Sequence, residues 1–292
     1  MSLTLLFSSQ TPLSVSFQTI DDTNSSAAVS LLEEGFPHHR AGFWRDALLR
    51  MADYARLHQF HGLGTIMTAG GQPAGVLLTL PARLSDGRCV VNLSSWYVRQ
   101  KYSWLAPRML QMATSDPTLT YTDLTASHDA AKLNAALGFR TVTSATAFCL
   151  VPFLALQFGG TARIIPWSPD TSADLDPAQR DMLRFHRDLD CLCAVLEEPE
   201  GTSPLIFNRA RWRGLPCARL LHVRPGPVKP ALGAMGRFLL RSGVPTMTLP
   251  ATADGELPIR WPGRTDTPVQ VKGEWQGERV DAAYSEMAFL HL

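Results

Sequence analysis

Apolar residues along this chain recur first at a helical spacing, then in short β-rich runs, then at helical spacing again. Phe43, Ala47, Met51, Tyr54 and Leu57 fall three and four residues apart, which places them on one stripe of a helix over residues 42–58. A shorter helix is predicted at 27–34, joined to it through Gly35-Phe36-Pro37, with an extended segment around 13–20 ahead of both. Runs at 64–68, 74–81 and 89–98 are separated by Gly70-Gly71-Gln72-Pro73 and Ser85-Asp86-Gly87, residues that favour tight turns, and predict an antiparallel meander. A helix is then expected over 103–113, apolar at Leu105, Met109 and Met112, stopping short of Pro117 because a residue ahead of proline avoids helical backbone. A strand at 119–125 leads to a helix at 129–137, with Ala130, Leu133 and Leu137 on one face and Gly138 at the left-handed position that closes helices. A strand at 141–150 ends this set.

Residues 151–177, punctuated by Gly159-Gly160, Trp167-Ser168-Pro169 and Asp176-Pro177, read as a connection. Beyond it the order returns: a helix at 178–189, strands at 191–196, 205–212 and 217–223, a helix at 231–240 and a strand at 246–249. Residues 216–251 parallel residues 90–126 in element order and length with negligible identity, so the repeat is architectural. A segment rich in Pro and Gly at 253–267 stands in the place of a second helix, and 281–290 is expected to form a terminal strand. The pattern predicts an α/β chain of two units, 1–155 and 156–292, each a mixed, largely antiparallel sheet flanked by helices.

Composition narrows the functional classes. A length of 292 residues suits two cores, and 18% charged residues, below the roughly 25% usual in soluble domains, implies extensive burial. A net charge of +1 supplies no basic stripe for nucleic acid or an anionic membrane, and neither partner is expected. The opening MSLTLLFSSQ has no basic n-region, and the longest apolar stretch, 147–156, is too short for a bilayer and contains Pro152, so a cytoplasmic location is expected. Five cysteines at spacings that fit no zinc pattern suit reduced thiols, and Cys191 and Cys193 read as small core residues. His38-His39 has no third ligand at a convincing spacing, and no metal is expected. Gly62-Leu63-Gly64 is half of a dinucleotide fingerprint outside its strand-to-helix context, and GxSxG, P-loop and HExxH patterns are absent from the sequence. Arg209, Arg211 and Arg213 alternate on a strand and share one face, most simply a solvated one.

The run YTDLTASHDAAKLNAALGF at 121–139, with LLEEGFPHHRAGFW at 31–44, resembles the GNAT acyltransferase superfamily. In that superfamily a loop after the fourth strand cradles the pyrophosphate of coenzyme A on helix N-terminal amides. The resemblance places Val98, Ser103, Ala106 and Arg108 in that loop, with Trp104 and Arg108 where small residues are usual and Pro107 lacking an amide donor. Arg108 offers a charge-assisted contact in exchange. In the later helix Ala130, Leu133, Gly138 and Phe139 match, Ser127 replaces an Asn, and Asn134 stands where a Tyr often protonates the departing thiolate. An amide does not ionise usefully, but a thiolate whose ordinary pKa is near 8.5 leaves without a dedicated donor. Ser127 also suits the N-cap of its helix.

The resemblance covers 31–150 and weakens over 158–292, where Pro225, Pro227 and Pro230 delete amides from the equivalent loop and no CoA site is expected. It implies transfer of an acyl group from acetyl-CoA or another acyl-CoA to an amine of a small-molecule or peptide acceptor. Asp123, His128 and Ser94 are the candidates for the group that takes the ammonium proton. A descendant of the fold that only binds or assembles is the alternative, and a carrier using a cleft is a third class.

Overall fold

The computed structural model describes residues 13–84, 87–143, 146–158, 160–172, 174–212, 214–250, 268–275 and 281–290. The elements, in chain order, are β1 (Val15–Thr19), α1 (Ser25–Gly35), α2 (Phe43–Leu57), β2 (Gly64–Ala69), β3 (Gln72–Arg83), β4 (Cys89–Val98), α3 (Ala106–Ala113), β5 (Thr120–Asp123), α4 (His128–Ala136), β6 (Arg140–Thr143), β7 (Thr146–Leu150) and α5 (Val151–Ala155). They continue as β8 (Arg163–Pro166), α6 (Pro177–Asp188), β9 (Leu192–Glu198), β10 (Gly201–Trp212), β11 (Leu215–His222), α7 (Leu232–Arg241), β12 (Thr246–Pro250), β13 (Val269–Lys272) and α8 (Glu286–Phe289). A 3₁₀ turn at Gln100–Leu105 runs directly into α3.

Two mixed sheets result, one of seven strands in the order β1-β2-β3-β4-β5-β13-β6 and one of six in the order β7-β12-β11-β10-β9-β8. The α/β class and the pair of largely antiparallel sheets flanked by helices are as expected. By packing, the chain divides into two compact units, Met1–Leu78 with Ser95–Ser115 and Thr79–Ser94 with Asp116–Leu292.

In the first unit β2 lies antiparallel on β3, as the meander predicted, and β1 adds to the edge of β2, also antiparallel. Helix α2 buries Ala47, Met51 and Tyr54 of the stripe read from its spacing, together with Trp44, Leu48 and Ala55, while Phe43 is half-buried and Leu57 is exposed.

In the second unit β4 and β5 pair in parallel from Val90↔Thr120 to Leu93↔Asp123. The expected single strand at 141–150 is two. β6 pairs with β13, and β7 leaves to lie antiparallel on β12. Strand β13 in turn inserts between β5 and β6. The six-stranded sheet rests on α7, where Leu232, Met235, Phe238 and Leu239 join Phe207, Leu220 and Met247 in one apolar cluster. Gly233 and Gly236 let α7 press against the chain at 154–157: a Cβ on Gly236 would stand 2.5 Å from the Ala155 nitrogen, and one on Gly233 2.3 Å from the Gln157 carbonyl. Residues 281–290 turn into the short helix α8, capped by the Ser285 hydroxyl, rather than forming the expected strand. The 253–267 segment and Arg213 lie outside the described residues. No helix among the described residues is long and apolar enough to cross a membrane.

Candidate functional site

Among the described residues, a group of buried polar side chains gathers at the carboxyl end of β5, within the second unit. Asn92, Thr122, Asn134, Gln270 and Glu286 are each at most 3% exposed. Such groups are costly to bury unless hydrogen-bonded, and here they form one connected network. Asn134 donates from Nδ2 to Asp123 Oδ2 (2.8 Å) and to Gln270 Oε1 (3.0 Å), and Gln270 returns an Nε2 hydrogen bond to the Ala131 carbonyl (3.1 Å). Register explains the meeting: Gln270 on β13 pairs directly with Asp123 on β5. Thr125 links the two carboxyls, its backbone N–H donating to Asp123 Oδ1 (3.3 Å) and its hydroxyl to Glu286 Oε1 (2.6 Å). Asn92 donates to Glu286 Oε2, and Thr122 to Asn92 Oδ1 (3.2 Å).

Glu286 is held in place by its whole segment. The Ala282 N–H donates to the Leu221 carbonyl (3.1 Å), Asp281 pairs with His222 (2.6 Å), a ring nitrogen of buried His186 lies 2.7 Å from the Ala283 carbonyl, and Asn208 donates to the Met287 carbonyl (2.6 Å). Burial drives the Glu286 carboxyl up to about 7, against the pull of the Thr125 and Asn92 donors, and the charge of Asp123 pushes the same way as burial. Burial likewise lifts Asp123 above the usual carboxylate range, opposed by Asn134 and by the amides of Thr125 and Ala126. Arg219 on β11 supplies a cation to this region: its charge is felt by Glu286, and burial lowers its own affinity for the proton. Two carboxyls that interact in this way, one poised near neutrality, are suited to taking and returning a proton.

The loop after β4 belongs to the first unit and is built differently. The Tyr102 amide bonds the Arg99 carbonyl (2.8 Å), the Ala106 amide closes on Ser103, and Pro107 has none to offer. Without glycine the segment coils into a 3₁₀ turn that buries Leu105 and half-buries Tyr102 but leaves its other side chains facing out. Trp104 is 65% exposed, Ser103 and Arg108 are exposed, and the Arg108 guanidinium lies 5.9 Å from the centre of the Phe17 ring. The turn is fixed from behind by Arg99, which grips Glu34 on α1 (2.7 Å) while the Tyr97 hydroxyl donates to the same carboxylate (2.9 Å).

No protein-family model matches the sequence, and no curated protein matches it. Solved structures do. A GCN5-related N-acetyltransferase from Anabaena variabilis superposes with a TM-score of 0.59 at 11% identity, covering 88% of this chain and 72% of that one. One from Kribbella flavida gives 0.55 at 10%, covering 88% and 71%. A Pyrococcus horikoshii protein gives 0.54 at 10%, with 92% of each chain covered. The chain has the GNAT fold. Within it, the sequence-level site residues separate into groups. Asp123 and Asn134 meet in the buried network. Ser94, also buried, precedes Ser95, whose φ of 35° is left-handed, just after the β4–β5 ladder stops. His128 begins α4 on its exposed side, and its ring makes no hydrogen bond to the described residues. Ser127 caps α4, accepting from the Ala130 amide (3.2 Å). Val98 is half-buried and packs toward Gly75, while Ser103, Ala106 and Arg108 share the turn after β4.

Sequence reasoning missed Asn92, Thr125 and Glu286. One signal for Glu286 was present: a carboxylate in the run Met287-Ala288-Phe289-Leu290, preceded by the capping residue Ser285, contradicts a simple strand.

Proposed function

We propose that this chain is an N-acyltransferase that moves an acyl group from acyl-CoA to the amine of a small-molecule or peptide acceptor. The observation that carries this reading is the hydrogen-bonded network that joins the Asp123 and Glu286 carboxyls at the end of the β4–β5 parallel ladder in a GNAT fold. Amine attack on a thioester needs a proton acceptor held in place, and positioning supplies most of the remaining acceleration. Acetyl-CoA or a longer acyl-CoA would meet the turn after β4 through Ser103 and the Arg108 guanidinium, with Val98 and Ala106 as packing. Asp123 is better placed than His128 or Ser94 to take part in proton transfer, because it is tied into the network. The five unpaired cysteines suit a reducing compartment, and we place the protein in the cytoplasm. Residues 1–155 and 156–292 we take as two GNAT-like modules, the second without CoA, that exchange strands: β7 pairs with β12, and β13 lies between β5 and β6.

One observation favours a second reading, a binding or assembly module that keeps the fold without the chemistry: the amides of Tyr102 and Ala106 are turned inward and are not offered to phosphate. Thermal unfolding with acetyl-CoA separates the two. A saturating ligand at a hundredfold excess over its Kd stabilises by about 2.7 kcal/mol, so the enzyme reading expects a clear upward shift, weakened in Arg108→Ala. No shift at millimolar acetyl-CoA and none with a long-chain acyl-CoA would sink it.

A further inference from the structure

Glu286 is fully buried, and its Oε1 has one hydrogen-bond donor that reaches the surface: the hydroxyl of Thr125, an exposed residue. A hydroxyl both donates and accepts, whereas the groups on Asp123, the Asn134 Nδ2 amino group and the backbone N–H groups of Thr125 and Ala126, only donate. Of the two carboxyls, Glu286 is therefore the one joined to the surface by a group able to pass a proton. The donor from Asn92 on Oε2 completes a pair of hydrogen bonds that suits the ionised carboxylate.

We propose that Thr125 and Glu286 form a proton relay, in which the Thr125 hydroxyl meets the ammonium of the acceptor and Glu286 stores the proton it gives up. This rests on the acyltransferase reading above. In the step, Thr125 Oγ1 takes a proton from the ammonium as its own hydroxyl proton passes to Glu286 Oε1. The freed amine then adds to the thioester carbonyl carbon. The C–N bond forms, the C–S bond breaks as the tetrahedral intermediate collapses, and the second nitrogen proton leaves with the thiolate as free CoA thiol. Glu286 afterwards returns its proton through Thr125 to water. The charged groups acting on Glu286 are Asp123 at the end of β5, which disfavours its ionisation, and Arg219 on β11, which favours it. Glu286 touches no substrate itself, so it is a positioning and proton-storing residue, and Thr125 is the contact.

The test uses the full chain with acetyl-CoA, offering spermidine and a short peptide with a free N-terminus as probes, and follows CoA thiol release. Thr125→Val, at an exposed position that leaves the fold intact, is expected to lower kcat by about a hundredfold with KM for acetyl-CoA unchanged, and Thr125→Ser to stay within a few-fold of wild type. Glu286→Gln should show the same loss and no longer show the acid limb of the pH profile near neutrality. Infrared spectra across the same pH range give a readout independent of turnover: a buried protonated-carboxyl band that titrates near neutrality in the wild type and is missing from Glu286→Gln. Turnover in Thr125→Val or Glu286→Gln equal to wild type overturns the relay and leaves the acyltransferase reading standing. A wild type that shows the infrared titration but releases no CoA with either probe overturns the acyltransferase reading, and the relay's role in catalysis with it. Absence of the band from the wild type overturns the relay at its root.

Discussion

Glu286 carries a carboxyl whose proton affinity in the fold, about 7, lies well above its ordinary 4.5. Between those values the folded chain holds a proton that the unfolded chain has released. Stability therefore falls as pH rises through the window and is highest, as far as this group decides, below about 4.5. The difference is on the order of 3 kcal/mol for this fully buried group. Glu286→Gln, uncharged throughout, should flatten the slope of denaturant stability between pH 5 and 7 (roughly the window above) and leave the variant more stable than wild type at about pH 8. A wild-type slope unchanged in the variant would refute the assignment. How far this chemistry could be read from the sequence differs by residue. Asp123 and Asn134 were found because they sit eleven positions apart in one strand-loop-helix motif. Glu286 was not, since its partners Asn92 and Thr125 lie 194 and 161 positions away and local pattern carries no trace of them.

Elements with a strong period and clear punctuation were legible: α2 by its apolar stripe, α4 by Ser127 at its start and Gly138, at φ 92°, past its end. Ser127→Ala should cost about 1 kcal/mol of stability through loss of the hydrogen bond to the Ala130 amide, measured by urea unfolding, with little change in the folded spectrum. The α7 contact depends on bare backbone, so Gly236→Ala should destabilise by about 1–3 kcal/mol despite alanine's better helix propensity, because the added methyl meets the chain at Leu154 and Ala155. A stabilised Gly236→Ala protein would mean that α5 yields more readily than its packing implies. Two elements of four residues were not legible. Strand β13, Val-Gln-Val-Lys, is too short to show a period, and α8 hides in a run whose apolar residues read equally well as a strand. The break between β6 and β7 escaped notice because both halves are β-rich, and which sheet each joins is settled by distant partners.

At the scale of the molecule, the two sheets do not respect a division of the sequence into consecutive halves. Strand β7, before residue 155, pairs with β12, and β13, far beyond it, fills the place between β5 and β6. A fragment of residues 1–155 would leave β5 and β6 without the strand that joins them and β7 without its partner, and is expected to lack a cooperative thermal transition by circular dichroism. A fragment that unfolds cooperatively would show the exchange to be dispensable. The arrangement also bears on synthesis. Until Lys272 has emerged from the ribosome, the facing edges of β5 and β6 have no strand between them. Closure of the first sheet must then wait for nearly the last of the described chain, and late, slow folding with those two edges exposed to other chains is the expected consequence.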